Sequence, residues 1–315
     1  RHIPVAPDEA ERFRRQAERE QALLPAEGLK VLLPTSGGHN AERAVELIAP
    51  LIAGDAAASV VAFHVERQAR RLFGRGHPET SLKRHLDELD RLARDAGAPA
   101  LTRKTDSGDP PADVILREAG RSYDLLVLGA SEETRRHPLG GEYVRAIAAA
   151  TPCPLLVVRS GPSERHLPGR PGATVAPRIL LPVRDSAYGR AAMEFAILYA
   201  GRVGGVITAL HVVESSFAIF GRTRAAETRA ETTVAVEALL ATVHARATNA
   251  GVAIRTEILE AANVERALIR AAASTDLMVL GAATRPHSRR AFFGTHVEAV
   301  LAEAPCPVAV LLLPA

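Results

Sequence analysis

The chain lacks tryptophan, and aromatic residues make up only 4% of its 315 positions. Surfaces that bind nucleic acid usually combine a basic patch with aromatic side chains, and the sequence has no such patch. Its formal net charge is only +3, because 39 Lys and Arg are offset by 36 Asp and Glu. We therefore expect no nucleic-acid partner. The apolar residues are mostly alanine, leucine and valine, which is typical of strands buried between alanine-rich helices.

Cysteine is scarce as well, with only Cys153 and Cys306. Two cysteines do not make the disulfide framework of a small secreted protein, and a reducing, cytoplasmic setting fits best. Each cysteine begins an apolar run, where it acts as a small hydrophobic side chain. We expect both to be structural, with a disulfide between them as the less favoured alternative.

Long apolar runs are also missing. No uninterrupted stretch approaches the roughly 20 residues that cross a bilayer, and no signal peptide is recognisable. The chain begins with Arg1 and not with methionine, which we interpret as a fragment or processed piece with further sequence upstream. Its length is that of about two domains.

An internal repeat is the most informative feature that the chain does have. Residues 124–130 read DLLVLGA, and residues 276–282 read DLMVLGA. Each is followed by a polar loop, a glycine, a helical stretch, and then Pro-Cys-Pro with a final apolar run, at 152–158 and 305–311. A repeat of this length is too long for a solenoid unit and fits a complete small α/β domain.

Strand patterns alternate with helical patterns in both copies. The strands are expected at Lys30–Leu33, Ser59–Val65, Ala100–Thr105, Leu125–Leu128, Leu155–Val158, Arg178–Leu181, Val206–Val212, Ala253–Ile258, Leu277–Leu280 and Val308–Leu312. The alternation indicates an α/β fold with two tandem doubly wound domains, each with a parallel sheet of five strands. The boundaries that follow are a charged linker helix at 1–27, a first domain at 28–159, a Gly/Pro linker at 160–177 and a second domain at 178–315.

The loop after the fourth strand of the second copy has the character of an anion site. Doubly wound sheets bind ligands outside the carboxyl ends of their strands. Here Gly281 ends the strand, three arginines follow, and Gly294 precedes a helix that begins at Thr295. The backbone amides at that helix terminus, together with the arginines, would attract phosphate.

These features resemble the universal stress protein family over nearly the whole chain after about residue 27. The resemblance rests on the strand order, the LHV sequence at 210–212, the VLGA strands and the Pro-Cys-Pro endings. It implies a five-stranded parallel fold of the HUP type, and in many members ATP binding through Gly-x-x-Gly-x9-Gly-Ser/Thr. In the second copy Gly281, Gly294 and Thr295 match this spacing, and Thr284 replaces the second glycine.

The resemblance also implies which residues bind the nucleotide. They are Pro182, Val183, Arg184, Val212, Gly281, Thr284, Arg285, Gly294, Thr295 and His296. The acidic residue that binding members carry near the ribose falls at Arg184, with Asp185 one place late. The expected ligand is ATP or another adenine nucleotide, and AMP and cyclic di-AMP are not distinguished from it. No metal site is expected, because the histidines lack metal-ligand spacing.

The first copy departs further from the family pattern. Gly129 matches, but Glu132 replaces the second glycine and the loop is one residue shorter. Gly141 is followed by Glu142. With Glu133, these carboxylates would repel a triphosphate. We expect no nucleotide in this copy, whose loop would only connect the strand to the helix.

Tandem domains after a charged helix resemble the cytoplasmic C-terminal regions of bacterial cation/proton antiporters, as does the sequence of 182–196. This implies a non-catalytic regulatory module at the cytoplasmic face of the inner membrane, joined to a transmembrane transporter domain in the same polypeptide. A homodimer is expected, and the last strands, Leu155–Val158 and Val308–Leu312, should pair as an internal pseudo-dimer. Two alternatives stay open: a free-standing tandem stress protein that binds ATP, and a ligand-free dimerisation scaffold.

Overall fold

The computed structural model describes residues 23–25, 27–36, 39–66, 78–130, 141–161, 175–214, 222–284 and 292–314, with the backbone alone at 78–80, 141 and 222–232. The charged helix expected within 1–27 lies almost wholly outside these ranges, as does most of the linker at 160–177. Over the part that is described, no helix has the length and hydropathy to cross a membrane.

Strands and helices alternate through both copies, as the sequence predicts. The strands are β1 Lys30–Pro34, β2 Ser59–Glu66, β3 Thr102–Ser107, β4 Leu125–Gly129, β5 Leu155–Arg159, β6 Arg178–Pro182, β7 Val206–Glu214, β8 Ala253–Ala261, β9 Leu277–Gly281 and β10 Val308–Leu312. The helices are α1 His39–Ile52, α2 Pro78–Asp95, α3 Pro111–Ala119, α4 Gly141–Ala150, α5 Ala187–Val203, α6 Arg222–Asn249, α7 Val264–Ala272 and α8 Thr295–Glu303.

The ten strands form one sheet in the order β3-β2-β1-β4-β5-β10-β9-β6-β7-β8. Neighbouring strands within each copy run parallel. The order is the same from either edge once equivalent strands are exchanged, so a pseudo-twofold axis lies between β5 and β10. This confirms the α/β fold with two tandem five-stranded domains.

The two copies join through their last strands, as predicted. β5 and β10 pair antiparallel, with Val157 opposite Val310, Arg159 opposite Val308 and Leu155 opposite Leu312. Val157 and Val310 both stand four residues after the cysteine of Pro-Cys-Pro, so they are equivalent positions. The pseudo-twofold axis therefore passes between them.

The sheet is buried on both faces by helices. Alternate side chains of a strand enter different layers, so Val31 and Leu33 lie in one core and Leu32 in the other. Helices α1, α2, α5 and α6 cover the first face, and α3, α4, α7 and α8 cover the second. Burial on both sides explains why the central strands are continuously apolar.

The strand bounds differ most from expectation at the two edges of the sheet. β8 runs to Ala261, three residues beyond the predicted end at Ile258, and β7 accompanies it to Glu214. β3 begins at Thr102 and not at Ala100. Most side chains of these edge strands are exposed, so their length is set by hydrogen bonds to the neighbouring strand, which no hydrophobic pattern records.

The cysteines are structural. Cys153 and Cys306 are both buried and free. In the register of β5 and β10, Cys153 would lie level with position 314, eight residues beyond Cys306, or roughly 27 Å along the strand. A disulfide needs Cα atoms within about 7 Å, which excludes the alternative. Burial raises the pKa of Cys153 to about 11 and also raises the pKa of Cys306, so neither is a reactive thiolate at neutral pH.

Candidate functional site

The strand residues of the predicted site lie at one edge of the second copy. β9, β6 and β7 are neighbours and run parallel, so their carboxyl ends meet. Pro182 ends β6 opposite Leu210 of β7, Val212 lies two residues further along β7, and Gly281 ends β9. After β8 the chain returns past β7 and β6 and enters β9 on the far side of β6. The carboxyl ends of β6 and β9 therefore flank the topological switch point, where doubly wound sheets bind ligands.

A histidine holds the loop that leaves the first strand in each copy. The amide of Val183 donates to the Leu210 carbonyl at 2.9 Å, and Nδ1 of His211 lies 2.9 Å from the Val183 carbonyl. In the first copy Nδ1 of His64 lies 3.0 Å from the carbonyl of Thr35. Because a carbonyl only accepts, each ring donates from Nδ1. Sequence reasoning missed this role, although a histidine at the same strand position of both copies signals it.

The turn after β6 carries no carboxylate at the position where binding members have one. Arg184 stands there, with an exposed side chain. Asp185 is 82% exposed, and its Oδ1 lies 3.2 Å from a guanidinium nitrogen of Arg190. Ser186 then caps helix α5 by accepting from the amide of Gly189 at 3.0 Å. The side chains of Asp185 and Ser186 therefore both contact the first turn of helix α5.

The first glycine of the loop motif is explained by packing in both copies. A Cβ at Gly281 would lie 1.9 Å from the carbonyl oxygen of Tyr188, in the first turn of α5. A Cβ at Gly129 would lie 2.6 Å from the carbonyl of Asn40, at the same place in α1. The missing side chain lets the first helix approach the fourth strand. This glycine therefore does not by itself indicate a phosphate.

The last glycine has no such packing role. Gly294 precedes α8 with φ +88° and ψ 147°, and a Cβ there would have no described atom within 4 Å. The positive φ favours glycine, and the residue has no side chain with which to cap the helix. The amides of the first turn, beginning at the exposed Thr295, form a helix N-terminus with partial positive charge. Such an end is suited to a phosphate.

Of the other predicted site residues, His296 contacts helix α7, Thr284 ends a described segment, and Arg285 lies outside the described residues. Nδ1 of His296 lies 2.8 Å from Oε1 of Glu265 in the first turn of α7. Hydrogen bonding to its own backbone amide and to His296 lowers the pKa of Glu265. Thr284 is partly buried at the end of the described segment, and Arg285 lies outside it. His296 is thus held by α7, so it is a weaker candidate ligand than Thr295.

In the first copy the comparable carboxylates are only partly described. Glu132 and Glu133 fall in 131–140, outside the described residues, whereas Glu142 is exposed in the first turn of α4. Within the described ranges, no group of three or more His, Cys, Asp or Glu residues could hold a metal ion.

Three solved structures align with this chain over most of its length. A universal stress protein from Archaeoglobus fulgidus aligns over 93% of this chain and 98% of its own, with 17% identity and a TM-score of 0.55. A functionally unknown protein from Pseudomonas aeruginosa aligns over 90% of this chain and 92% of its own, with 15% identity and a TM-score of 0.53. The cytoplasmic domain of a prokaryotic cation chloride cotransporter aligns over 90% of this chain and 95% of its own, with 10% identity and a TM-score of 0.45. The first two similarities show a shared fold.

Sequence comparison identifies the family. No curated protein sequence gives a significant match. The profile of the universal stress protein family matches residues 29–159 and again 176–311, which together are most of the chain. The chain therefore belongs to the universal stress protein family and carries two of its domains in tandem.

Proposed function

We propose that the chain is a non-catalytic regulatory module that binds an adenine nucleotide in its second domain. The observation that carries the proposal is the start of α8. Gly294 holds a backbone conformation that favours glycine, with open space in place of a side chain, and the exposed Thr295 follows it. This is the part of the family motif that packing does not explain.

The residues at the switch point fit a nucleotide in their chemistry. The amides at the start of α8 and the Thr295 hydroxyl would hold phosphate oxygens, because both donate hydrogen bonds beside a positive helix end. Pro182 and Val212, both half-buried at the ends of β6 and β7, would contact the base and ribose, and the buried Val183 would hold the loop beside them. The exposed Arg184, which directly follows Val183, adds positive charge at this edge, and in the sequence Arg285 follows Thr284.

Binding without turnover is the simplest chemistry for these residues. Among the described carboxylates around this site, Asp185 faces Arg190 and Glu265 faces His296. Glu298 accepts a hydrogen bond from the amide of Phe293 at 3.3 Å. A general base needs an accepting carboxylate or imidazole within reach of the attacking water. These three carboxylates are already paired with protein, and the His211 ring is held through Nδ1 by the Val183 carbonyl, so we propose a sensor and not a hydrolase.

A titration of the full chain tests the ligand. We expect ATP, AMP or cyclic di-AMP to bind at one site per chain in isothermal calorimetry. Thr295→Glu places at α8 the residue type that the first copy has at Glu142, and it should weaken binding by about tenfold or more through charge repulsion. Since a carboxylate favours a helix N-terminus, the melting temperature should hold or rise. Thr295→Ser is the matched control and should keep its affinity. Absence of binding by every nucleotide would favour the ligand-free scaffold.

The module is further proposed to be the cytoplasmic C-terminal region of a cation/proton antiporter or related transporter. The support is the tandem arrangement after a charged segment and the antiporter-like sequence of 182–196. A nucleotide that prefers one arrangement of the module would bias the attached transporter by its difference in affinity. Sequencing the transcript upstream of Arg1 tests this part. A coding region with several apolar spans would support it, and a start codon directly before Arg1 would favour the free-standing stress protein.

A further inference from the structure

A charge pair lies between the two copies on the pseudo-twofold axis. Nη2 of Arg145, in α4, is 3.9 Å from Oε1 of Glu298, in α8. The two side chains are only 27% and 10% exposed. Arg145 stands eight residues before Cys153, and Glu298 stands eight residues before Cys306. They are therefore the same position in the two copies, occupied by opposite charges.

Equivalent positions that face each other across a twofold contact must lie next to its axis. Val157 and Val310 do so within the sheet, and Arg145 and Glu298 do so in the helical layer that covers it. In any pairing of a copy with its own equivalent from a second chain, this position would face itself. Arg145 would then face arginine, or Glu298 would face glutamate. Like charges in a partly buried contact are strongly unfavourable.

The surroundings of the pair are also adapted to one partner only. The Arg145 guanidinium carbon lies 5.7 Å from the ring centroid of Phe292 in the second copy. This ring packs edge-on against Phe293 with centroids 4.6 Å apart. The position equivalent to Phe292 in the first copy carries leucine, at 139. The equivalent position of the first copy therefore offers no aromatic ring for a cation–π contact.

A second asymmetric contact crosses the same axis. Nη2 of Arg159, the last residue of β5, donates to the carbonyls of Ala304 at 2.6 Å and Cys306 at 3.2 Å. It thereby caps the carboxyl end of α8 from the other copy. The equivalent residue of β10 is Leu312, which has no donor to return the contact. The backbone of the interface thus obeys the pseudo-twofold symmetry, whereas its polar side chains differ between the two copies.

We propose that Arg145 and Glu298 select the partner of each copy. They favour pairing of a first copy with a second copy, and they disfavour pairing of either copy with its own equivalent from another chain. As a result, β5 and β10 pair with each other within one chain and not with the equivalent strands of another chain. This inference is independent of nucleotide binding.

Two full-length variants with reversed charges test the selection. Arg145→Glu leaves glutamate at both axial positions, and Glu298→Arg leaves arginine at both. Each variant alone has only like charges to pair, within or between chains. When the two are unfolded in urea, mixed and refolded together near 100 µM, only pairing between different chains restores opposite charges. We expect roughly tenfold more mixed dimer, measured by light scattering and native mass spectrometry, than when the double variant Arg145→Gln with Glu298→Gln is mixed with an isotope-labelled copy of itself.

The controls make both outcomes decisive. The double Gln variant keeps side chains of similar size and removes both charges from every chain, so its mixed dimer shows what refolding alone produces. Equal amounts of mixed dimer in the two mixtures would overturn the proposal. If a single variant does not refold, the double variant Arg145→Glu with Glu298→Arg replaces the mixture as the test. A refolded fraction above that of either single variant supports the axial pair, and a fraction no higher overturns it.

Discussion

The starts of α4 and α8 occupy the same place in the two domains but differ in what they leave for a ligand. α4 begins with Gly141 and Glu142, and α8 follows Gly294 with Thr295. A carboxylate in the first turn of a helix interacts with its positive end much as a phosphate would. The first domain places such a charge at the exposed start of the helix, with Glu142, whereas the second domain has the neutral Thr295 there, and its first-turn carboxylate, Glu298, accepts a hydrogen bond from the amide of Phe293. In the proposed function, this one position accounts for binding of an anion by the second domain and not by the first.

In contrast to the helix starts, the glycines that end β4 and β9 are the same in both domains and have the same packing role. Alanine at Gly281 would overlap the carbonyl of Tyr188, and alanine at Gly129 would overlap that of Asn40 at a somewhat longer distance. We expect Gly281→Ala to lower the free energy of unfolding by about 3 kcal/mol and Gly129→Ala by about 2 kcal/mol, since the helices must move away from the strands. Urea unfolding measures both. A loss below about 0.5 kcal/mol for either variant would show that the helix does not approach as described.

Alkaline pH should destabilise the first domain through its buried thiol. Burial raises the pKa of Cys153 from its ordinary value of 9.0 to about 11. The stability that comes from keeping this thiol neutral is complete below pH 9 and is lost as the pH rises towards 11. The loss should be about 2 kcal/mol for wild type and should largely disappear in Cys153→Ala. Unfolding midpoints between pH 8 and 11 give the comparison, and parallel curves for the two proteins would contradict it.

The contact across the pseudo-twofold axis should also respond unequally to equivalent substitutions. Arg159→Met removes the donor that the carbonyls of Ala304 and Cys306 use, and it should cost about 1 to 2 kcal/mol because these groups stay buried. Leu312→Met, at the equivalent position, conserves volume and should cost less than about 1 kcal/mol. Urea unfolding of both variants tests the difference. Equal losses would mean that Arg159 contributes no more than its apolar stem.

The smallest expected effect concerns the two loop histidines. His64→Phe and His211→Phe each remove one hydrogen bond to a loop carbonyl, and each should lower stability by about 1 kcal/mol. Only His211 holds the loop of the proposed nucleotide site, so only His211→Phe should weaken nucleotide binding. Calorimetric titration of both variants checks this. Weakened binding in His64→Phe as well would remove the distinction between the domains.

Much of the fold could be predicted because its signals are local. The pattern of apolar residues predicts β10 at Val308–Leu312 with the bounds that the structure has, and β9 at Leu277–Leu280 one residue short of its end at Gly281. The family resemblance also implied the pairing of β5 with β10, which the structure confirms. Strand β8 was underestimated because, at an edge, hydrogen bonds to β7 and not burial decide where it ends.

The site was harder to predict, because its key contacts join distant parts of the chain. Gly281 looked like a phosphate residue, but its neighbour Tyr188 lies 93 positions earlier and becomes apparent only in the folded chain. The axial pair could have been found from sequence. Aligning the two copies on Pro-Cys-Pro places Arg145 against Glu298, and opposite charges at one position of a pseudo-dimer are a signal of heterotypic pairing.

The most direct test of the difference between the domains is hydrogen–deuterium exchange of the full chain with and without saturating ATP. The account predicts slower amide exchange in peptides that cover the start of α8, at 292–300, and the end of β7, at 206–214. It predicts no change in the equivalent peptide of α4, at 141–150. Protection at 141–150, or equal protection in both domains, would contradict the claim that only the second domain binds the nucleotide.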